Sequence, residues 1–379
     1  MERIAIWDTT SRCNLKCKHC YNQERYWEKA SLYPDLTQLQ IKTIIEKIKK
    51  LGFTRLHLLG GEPLLSPNLM DFIRIGRQYH LDVTMVTNGT LLTARKMKEL
   101  CLNGLSSISF SIDGTTAQSN DAIRGLGSFG KAIGNLKECI AMRDELNSDL
   151  KKSNPVRVVI SFTLTKDNFE TSTDLMSFAR KIGVNAVNIS YLSEEGEARN
   201  DYNNKALIEE EKFAFLDLLL EDAKHSKEVE LHIDSRGCLA EYIYKRHGIK
   251  VDFSESSCAG GSEQFYILAD GTLLPCSPLG TSMGELCNQK LLESSLPPNL
   301  LKNSVFEIEN SEYLIEFYNY VHSYKTYENL VPCGDCKHNC TPCPLLYKRS
   351  NNKVLECIYA IQRIREVDRA VLSATIIKK

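Results

Sequence analysis

The sequence predicts an α/β chain in which a parallel barrel, closed or only partly closed, is followed by a loop-rich, cysteine-rich carboxy-terminal region. Three observations carry this reading. From Met1 to about Tyr191, short apolar runs alternate with helical patterns in six strand–helix repeats. Each strand-like run reads as nearly continuous rather than cleanly alternating, the pattern of parallel strands covered on both faces. From about Ser254 the regular patterns give way to cysteines and loops.

The elements follow in order. "RIAIWD" is the first strand and leads directly into a cysteine loop. Thr37 with Gln40 forms a capping box, Ile41, Ile44, Ile45 and Ile48 share one helical face, and Gly52 is the stop. "RLHLLG" is the second strand; Ser66-Pro67 then opens a helix with proline at its first position. "LDVTMVT" is followed by a helix capped by Thr93, and "SSISFSI" by one capped by Ser128 that carries Ile133, Leu136 and Ile140. "VRVVISFTL" precedes a helix ending near Gly183, and "AVNIS" is the sixth strand. Past Tyr191 come a helix over Lys205 to Lys224, a short strand "EVELHI", a hairpin "FYILADGTLLPC" turning at Asp270-Gly271, and a terminal helix from Glu356 to Leu372. The organisation is therefore 1–192 barrel, 193–253 bridging region and 254–379 cysteine-rich domain. "PCGDCKHNCTPCP" holds too few apolar residues to form a core, so bound metal is expected to supply one.

Composition narrows the function. With 42% hydrophobic residues among 379, the chain can bury a substantial core. Lys plus Arg total 47 against 48 acidic residues with no block of one sign, so neither a nucleic-acid footprint nor a membrane-surface patch is expected. No window reaches the ~18 to 20 apolar residues of a membrane span, and "MERIAIWDTT" lacks a secretory h-region, so a cytoplasmic location is expected. In that reducing compartment, fourteen cysteines point to metal thiolates rather than disulfides.

Cys13, Cys17 and Cys20 lie on one loop with three and two residues between them. A structural zinc site wants four ligands, usually as two pairs, so a zinc loop would have to borrow a distant fourth. A four-iron cluster can instead be held by three thiolates with one iron left for an outside ligand. Catalytic groups of parallel barrels collect at the carboxyl ends of strands, and both this loop and the "GGEPLL" loop lie there.

This arrangement resembles the radical S-adenosylmethionine (SAM) enzymes, whose fold is a partial (β/α)6, TIM-like barrel. The resemblance spans about 190 residues. It implies that Cys13, Cys17 and Cys20 hold a 4Fe–4S cluster whose fourth ligand is the amino and carboxylate end of S-adenosylmethionine. Gly60, Gly61, Glu62 and Pro63 match the family's glycine loop, which receives the methionyl ammonium. Thr87 and Asn88 in "TNGTLL", and Ser111 and Asp113 in "SFSIDG", match the strand ends that contact the ribose, with a turn role as the alternative for Asn88 and Asp113. Arg124 looks like the arginine that meets the cofactor carboxylate.

Cys258, twelve residues, Gly271, four residues, Cys276 resembles the opening of the SPASM auxiliary-cluster extension. By order of matching positions, Cys333, Cys336, Cys340 and Cys357 would hold an outer cluster, and Cys258, Cys276 and Cys343 an inner one. The gaps after Cys336 and Cys340 are tighter than the common pattern. The inner cluster would be one ligand short, its open iron left for substrate, water or an extra thiolate such as Cys287 or Cys238, and a zinc ribbon is the alternative for the paired cysteines. Cys101 and Cys139 sit on apolar helix faces and read as small core residues. His19 reads as a packing or supporting residue.

In all, the resemblance implies S-adenosylmethionine, three 4Fe–4S clusters and a 5'-deoxyadenosyl radical that abstracts hydrogen. The expected function is oxidative modification of a ribosomal precursor peptide, such as a thioether or carbon–carbon crosslink. A flavodoxin- or ferredoxin-type protein would donate electrons. The barrel begins at once, so a leader peptide would need a separate adaptor or would be read by the barrel itself. Ser277 after Cys276, where sulfatase-maturing members carry an aspartate base, weighs against that activity. The alternatives are radical dehydrogenation of a sugar or aminocyclitol, and peptide epimerisation with Cys238 as catalytic hydrogen donor.

Overall fold

The local signals build most of the elements where expected. The computed structural model describes residues 2–22, 33–150, 155–192, 196, 198, 202–233, 237–250, 258–277, 296–322 and 355–377. Strand β1 (Ile4–Asp8) is followed by α1 (Gln38–Lys50), whose Thr37 and Gln40 form the reciprocal capping box and whose four isoleucines are buried. Gly52, at φ 82°, ends it. Strand β2 (Arg55–Leu59) leads through a 3-10 turn at Pro63–Leu65 into α2 (Leu69–Gln78). Here the expected start shifts: the helix is capped at Asn68, so Pro67 precedes it rather than occupying its first turn. Then come β3 (Asp82–Thr87), α3 (Ala94–Leu102) capped by Thr93, and β4 (Leu105–Ser111).

Next, α4 (Ala117–Arg124) and α5 (Ser128–Leu150) are joined by Gly125 to Gly127. Ser128 was expected to cap α5. Instead the Asp121 carboxylate accepts the backbone N–H groups of Gly127 and Phe129 at 2.7 and 2.8 Å and the Ser128 hydroxyl at 3.0 Å. A carboxylate satisfies several free N–H groups at once and favours the positive end of the helix. Strand β5 (Arg157–Leu164), α6 (Leu175–Ile182) ending at left-handed Gly183, and β6 (Ala186–Tyr191) complete the six repeats.

The chain continues through α7 (Glu209–Lys224), β7 (Glu230–Ile233), α8 (Gly237–His247), the hairpin β8 (Gln264–Ile267) and β9 (Leu273–Leu274), then α9 (Val305–Glu309), α10 (Glu312–His322) and α11 (Leu355–Ile377). All nine strands form one sheet in the order β7-β6-β5-β4-β3-β2-β1-β8-β9. Every neighbouring pair is parallel except the closing hairpin. The sheet is a curved, mostly parallel partial barrel whose ends do not meet. Strand β8 joins it beside β1 across more than 250 residues of sequence.

Both faces of the sheet were expected to be covered; only one is. In β2, Leu56 and Leu58 are fully buried under the helices, whereas Arg55 and His57 point the other way. These inward residues, with Asp82, Arg157, Glu230 and His232, line a lumen of about 1150 Å³ at the amino-terminal ends of the strands, its walls polar and apolar in similar measure. Among the described residues no helix is long and apolar enough to cross a membrane.

Candidate active site at the carboxyl ends of the strands

The cysteine loop and the glycine loop are zipped together by backbone hydrogen bonds. Thr9 donates to Leu59, Gly61 to Thr10 at 2.9 Å, and Glu62 to Arg12 at 2.7 Å. So close is the approach that a Cβ on Gly61 would fall 2.1 Å from the Arg12 carbonyl oxygen, and one on Gly60 2.7 Å from that of Thr10. The glycines therefore have a packing reason of their own, since only a residue without a Cβ fits there.

Glu62 clamps this pair of loops to β3. Its buried carboxylate accepts the Thr87 hydroxyl at 2.7 Å, the Asn88 N–H at 2.8 Å and the Leu64 N–H at 3.3 Å. Burial still pushes its pKa up, with those hydrogen bonds opposing. Asn88 takes the turn role: its side-chain oxygen accepts the Thr90 N–H at 3.0 Å, Gly89 has φ 74°, and its amide donates to Asn14 within the cysteine loop at 2.9 Å.

Asp113 behaves otherwise. Fully buried, it lies 2.5 Å from Arg124 Nε and 2.7 Å from His19 Nε2, and it accepts the Thr163 N–H at 2.7 Å. Burial raises its pKa, but Arg124 and His19 outweigh that and hold it down to about 2. Arg124 in turn reaches the Cys17 sulfur with Nη1 at 3.9 Å. His19 thus supports the site through Asp113, and Ser111 lies next to it on β4.

Among the described residues, no three His, Cys, Asp or Glu side chains close around a single metal ion. Cys13, Cys17 and Cys20 are nevertheless neighbours: Cys13 and Cys17 interact electrostatically, and Arg124 feels both Cys17 and Cys20. Burial pushes the Cys13 thiol up to about 11 and raises Cys17 as well, with Arg124 opposing. Thiols buried this way ionise readily only when a cation takes the charge, so iron fits the site and the adjacent guanidinium adds to it.

Residues 7–198 match the Radical SAM superfamily. The chain belongs to that superfamily. S-adenosylmethionine and a 4Fe–4S cluster are accordingly its cofactors. An AdoMet-dependent heme synthase of Methanosarcina barkeri is 28% identical to this radical SAM chain, across 77% of it and 81% of the relative. Mycofactocin maturase MftC of Mycobacterium tuberculosis is 28% identical across 47% of this chain and 41% of the maturase. The structure of Streptococcus suis SuiB bound to precursor peptide SuiA superposes with a TM-score of 0.62 at 14% identity, covering 86% of this chain and 67% of that one. That likeness shows the shared fold.

The remaining cysteines among the described residues separate into three places. A Cβ on Gly260 would lie 3.6 Å from Cys258 Sγ and 3.3 Å from Cys276 Cβ, so those two flank one spot. Cys357 is buried elsewhere, in an apolar cluster of α7, α8 and α11 that includes Cys238, Leu216 and Tyr242. Cys101 and Cys139 are core residues as expected. Cys287, Cys333, Cys336, Cys340 and Cys343 lie outside the described residues.

Sequence reasoning missed the pair Asp8 and Tyr266, both buried, with the tyrosine hydroxyl donating to the carboxylate at 2.5 Å. The one available signal was a charged residue closing the apolar run "RIAIWD". It also missed the lumen, whose sign was the polar residues interleaved in β2 and β3.

Proposed function

We propose that this radical SAM enzyme oxidatively modifies a ribosomal precursor peptide. The observation that carries it is the likeness to mycofactocin maturase MftC, joined by the fold shared with a peptide-bound SuiB.

When bound, the cluster and S-adenosylmethionine supply the radical that takes hydrogen from an unactivated carbon. The chain's own residues do the rest. Cys13, Cys17 and Cys20 would ligate the cluster; Gly60, Gly61 and Pro63 shape the cofactor cradle and Glu62 braces it. Thr87, Asn88 and Ser111 would contact the ribose. Arg124, oriented by Asp113, keeps a positive charge beside Cys17. Cys258, Cys276 and Cys343 would hold an inner auxiliary cluster and Cys333, Cys336, Cys340 and Cys357 an outer one, accepting the substrate's electron or shuttling it outward, while a flavodoxin- or ferredoxin-type partner would donate the electron that reduces the cluster at Cys13, Cys17 and Cys20. Cys238, packed at 2% exposure against apolar side chains, suits a structural thiol better than a hydrogen donor.

A second reading is favoured by one observation. The heme synthase aligns with 77% of the chain, against 47% for the maturase, which makes heme synthesis the competing activity. Anaerobically reconstituted enzyme should be incubated with S-adenosylmethionine, a reductant, and either any small peptide found encoded beside it or an iron porphyrin. Loss of two hydrogens from the peptide supports the first reading. Formation of heme from the porphyrin supports the second. Cleavage of S-adenosylmethionine that leaves both substrates unchanged in mass sinks both.

A further inference from the structure

We propose that Tyr266, on the hairpin strand β8, is a positioning residue for the loop that carries Cys13, Cys17 and Cys20. Strands β1 and β8 pair in register, Ile6 opposite Tyr266, so the phenol extends along the lumen face toward the end of β1. There its hydroxyl donates to Asp8 Oδ1 at 2.5 Å. Asn22, two residues beyond Cys20, places its amide nitrogen 3.2 Å from the same hydroxyl, 3.5 Å from Asp8 Oδ1 and 3.4 Å from the Gly60 carbonyl. The hydroxyl of Tyr21 is 3.3 Å from that of Tyr266, and the two rings meet edge to face at 6.4 Å.

Asp8, Asn22 and Tyr266 are respectively 0, 4 and 1% exposed. Polar groups buried so deeply hold one geometry, because leaving any of them unpaired costs the full desolvation of that group. The latch therefore joins four pieces of chain at one point: the end of β1, the far end of the cysteine loop, the glycine loop and β8. The near end of the loop is held by Thr10 and Arg12 through the glycine loop. The middle of the loop is held by Lys18, which donates to the Ile123 carbonyl at 3.0 Å, and the latch ties its far end, two residues past Cys20, directly to Gly60. Outer partners that orient metal ligands are worth about 10- to 100-fold in metal affinity or activity when removed. Tyr266 belongs to that class, although it lies some 245 residues from the cysteines.

The inference rests on Cys13, Cys17 and Cys20 holding the cluster, and on neither substrate. The test uses reconstituted full-length enzyme and reads the change in the reduced-cluster EPR spectrum on adding S-adenosylmethionine, because only the cluster that binds the cofactor responds. Titrating that change gives the cofactor affinity. Tyr266→Phe, which keeps the ring and loses the hydroxyl, should weaken the affinity by about 10- to 100-fold. Phe265→Leu, on the opposite face of the same strand, should lower the melting temperature and leave the affinity at the wild-type value. If Tyr266→Phe titrates like wild type, or if Phe265→Leu shows the same loss, the positioning role is overturned. Where Tyr266→Phe does not yield folded protein, Asn22→Ala removes another member of the latch without touching β8, and the same shift is expected. Cys17→Ala separates the underlying assignment: a cofactor-responsive signal that survives it means the cluster lies elsewhere.

Discussion

Asp113→Asn is the most informative single perturbation of the site. The wild-type carboxylate is 0% exposed and is surrounded by Arg124 Nε at 2.5 Å, His19 Nε2 at 2.7 Å and the Thr163 N–H at 2.7 Å. Its pKa falls from 3.8 to about 2, burial opposing and the Arg124 guanidinium, with the hydrogen bonds from His19 and the Thr163 N–H, prevailing. A depressed acid contributes stability above its unfolded pKa and loses it as the pH drops through the folded one, so at pH 7 the contribution is fully present. That preference for the ionised form is worth roughly 2 kcal/mol. The substitution costs more, because it also strands Arg124, which is only 8% exposed, without its counter-charge. Breaking a buried pair in this way costs about 3 to 5 kcal/mol, whereas replacing both partners can be nearly neutral. Urea unfolding of the apoprotein, followed by the fluorescence of the buried Trp7, should show the midpoint falling by roughly 1 M or more. Asp113→Asn/Arg124→Met should recover most of it. Iodoacetamide should also label Cys17 faster in the single variant, since Asp113 raises the thiol pKa and Arg124 lowers it. A loss below about 1 kcal/mol, or a double variant no more stable than the single one, would refute the buried-pair argument.

Three further outcomes are expected. His57 has its pKa pulled down to about 4, by burial first and then by Arg55, so between pH 6.5 and 4 the unfolded chain takes up a proton that the native one refuses. Stability should fall by up to about 3 kcal/mol on acidification across that window, and His57→Gln should flatten the slope in denaturation midpoints taken at several pH values. Gly61→Ala puts a methyl 2.1 Å from the Arg12 carbonyl, forcing the two loops apart; reconstituted protein should bind S-adenosylmethionine at least about tenfold more weakly by equilibrium dialysis. Glu62→Gln turns one of its acceptor oxygens into a donor facing Thr87 or the Asn88 N–H, and differential scanning calorimetry should register a loss of about 1 to 3 kcal/mol.

What could be read ahead of the structure was whatever is decided locally. The capping box at Thr37, the stops at Gly52 and Gly183 and the hairpin at Gly271 each depend on a few adjacent residues, and all are realised. Local reading failed where a distant residue does the work: Asp121 displaces Ser128 as the cap of α5 by reaching back from the preceding helix. It failed again at the lumen, because residues such as Ile4 and Ile6 make the inward face look apolar, although the neighbouring strands contribute Arg55, His57, Asp82 and Arg157 to it. At the site, the motif residues could be picked out but not their partners. Arg124 reads as a ligand for the cofactor carboxylate; that it is locked to Asp113 depends on the last turn of α4 folding back over the end of β4.

The pairing of β8 with β1 bears on how far apart the iron–sulfur sites would lie. Cys258 precedes β8 and Cys276 follows β9, so the short hairpin between them sets their common position near Gly260. Strand β8 runs parallel to β1, which places that position by the starting end of the sheet, whereas Cys13 follows the finishing end. With five residues in β1 at about 3.3 Å each, the two sites would be offset by roughly 15 Å along the strand direction. The lumen lies on the half of the sheet nearer the starting end, and its lining, from Ile4, Arg55 and Asp82 to Ser109 and His232, takes in neither the cofactor loops nor Cys258 and Cys276. The offset between the two cysteine positions is therefore set by the hydrogen-bonded register of β1 with β8 and not by the shape of the cavity.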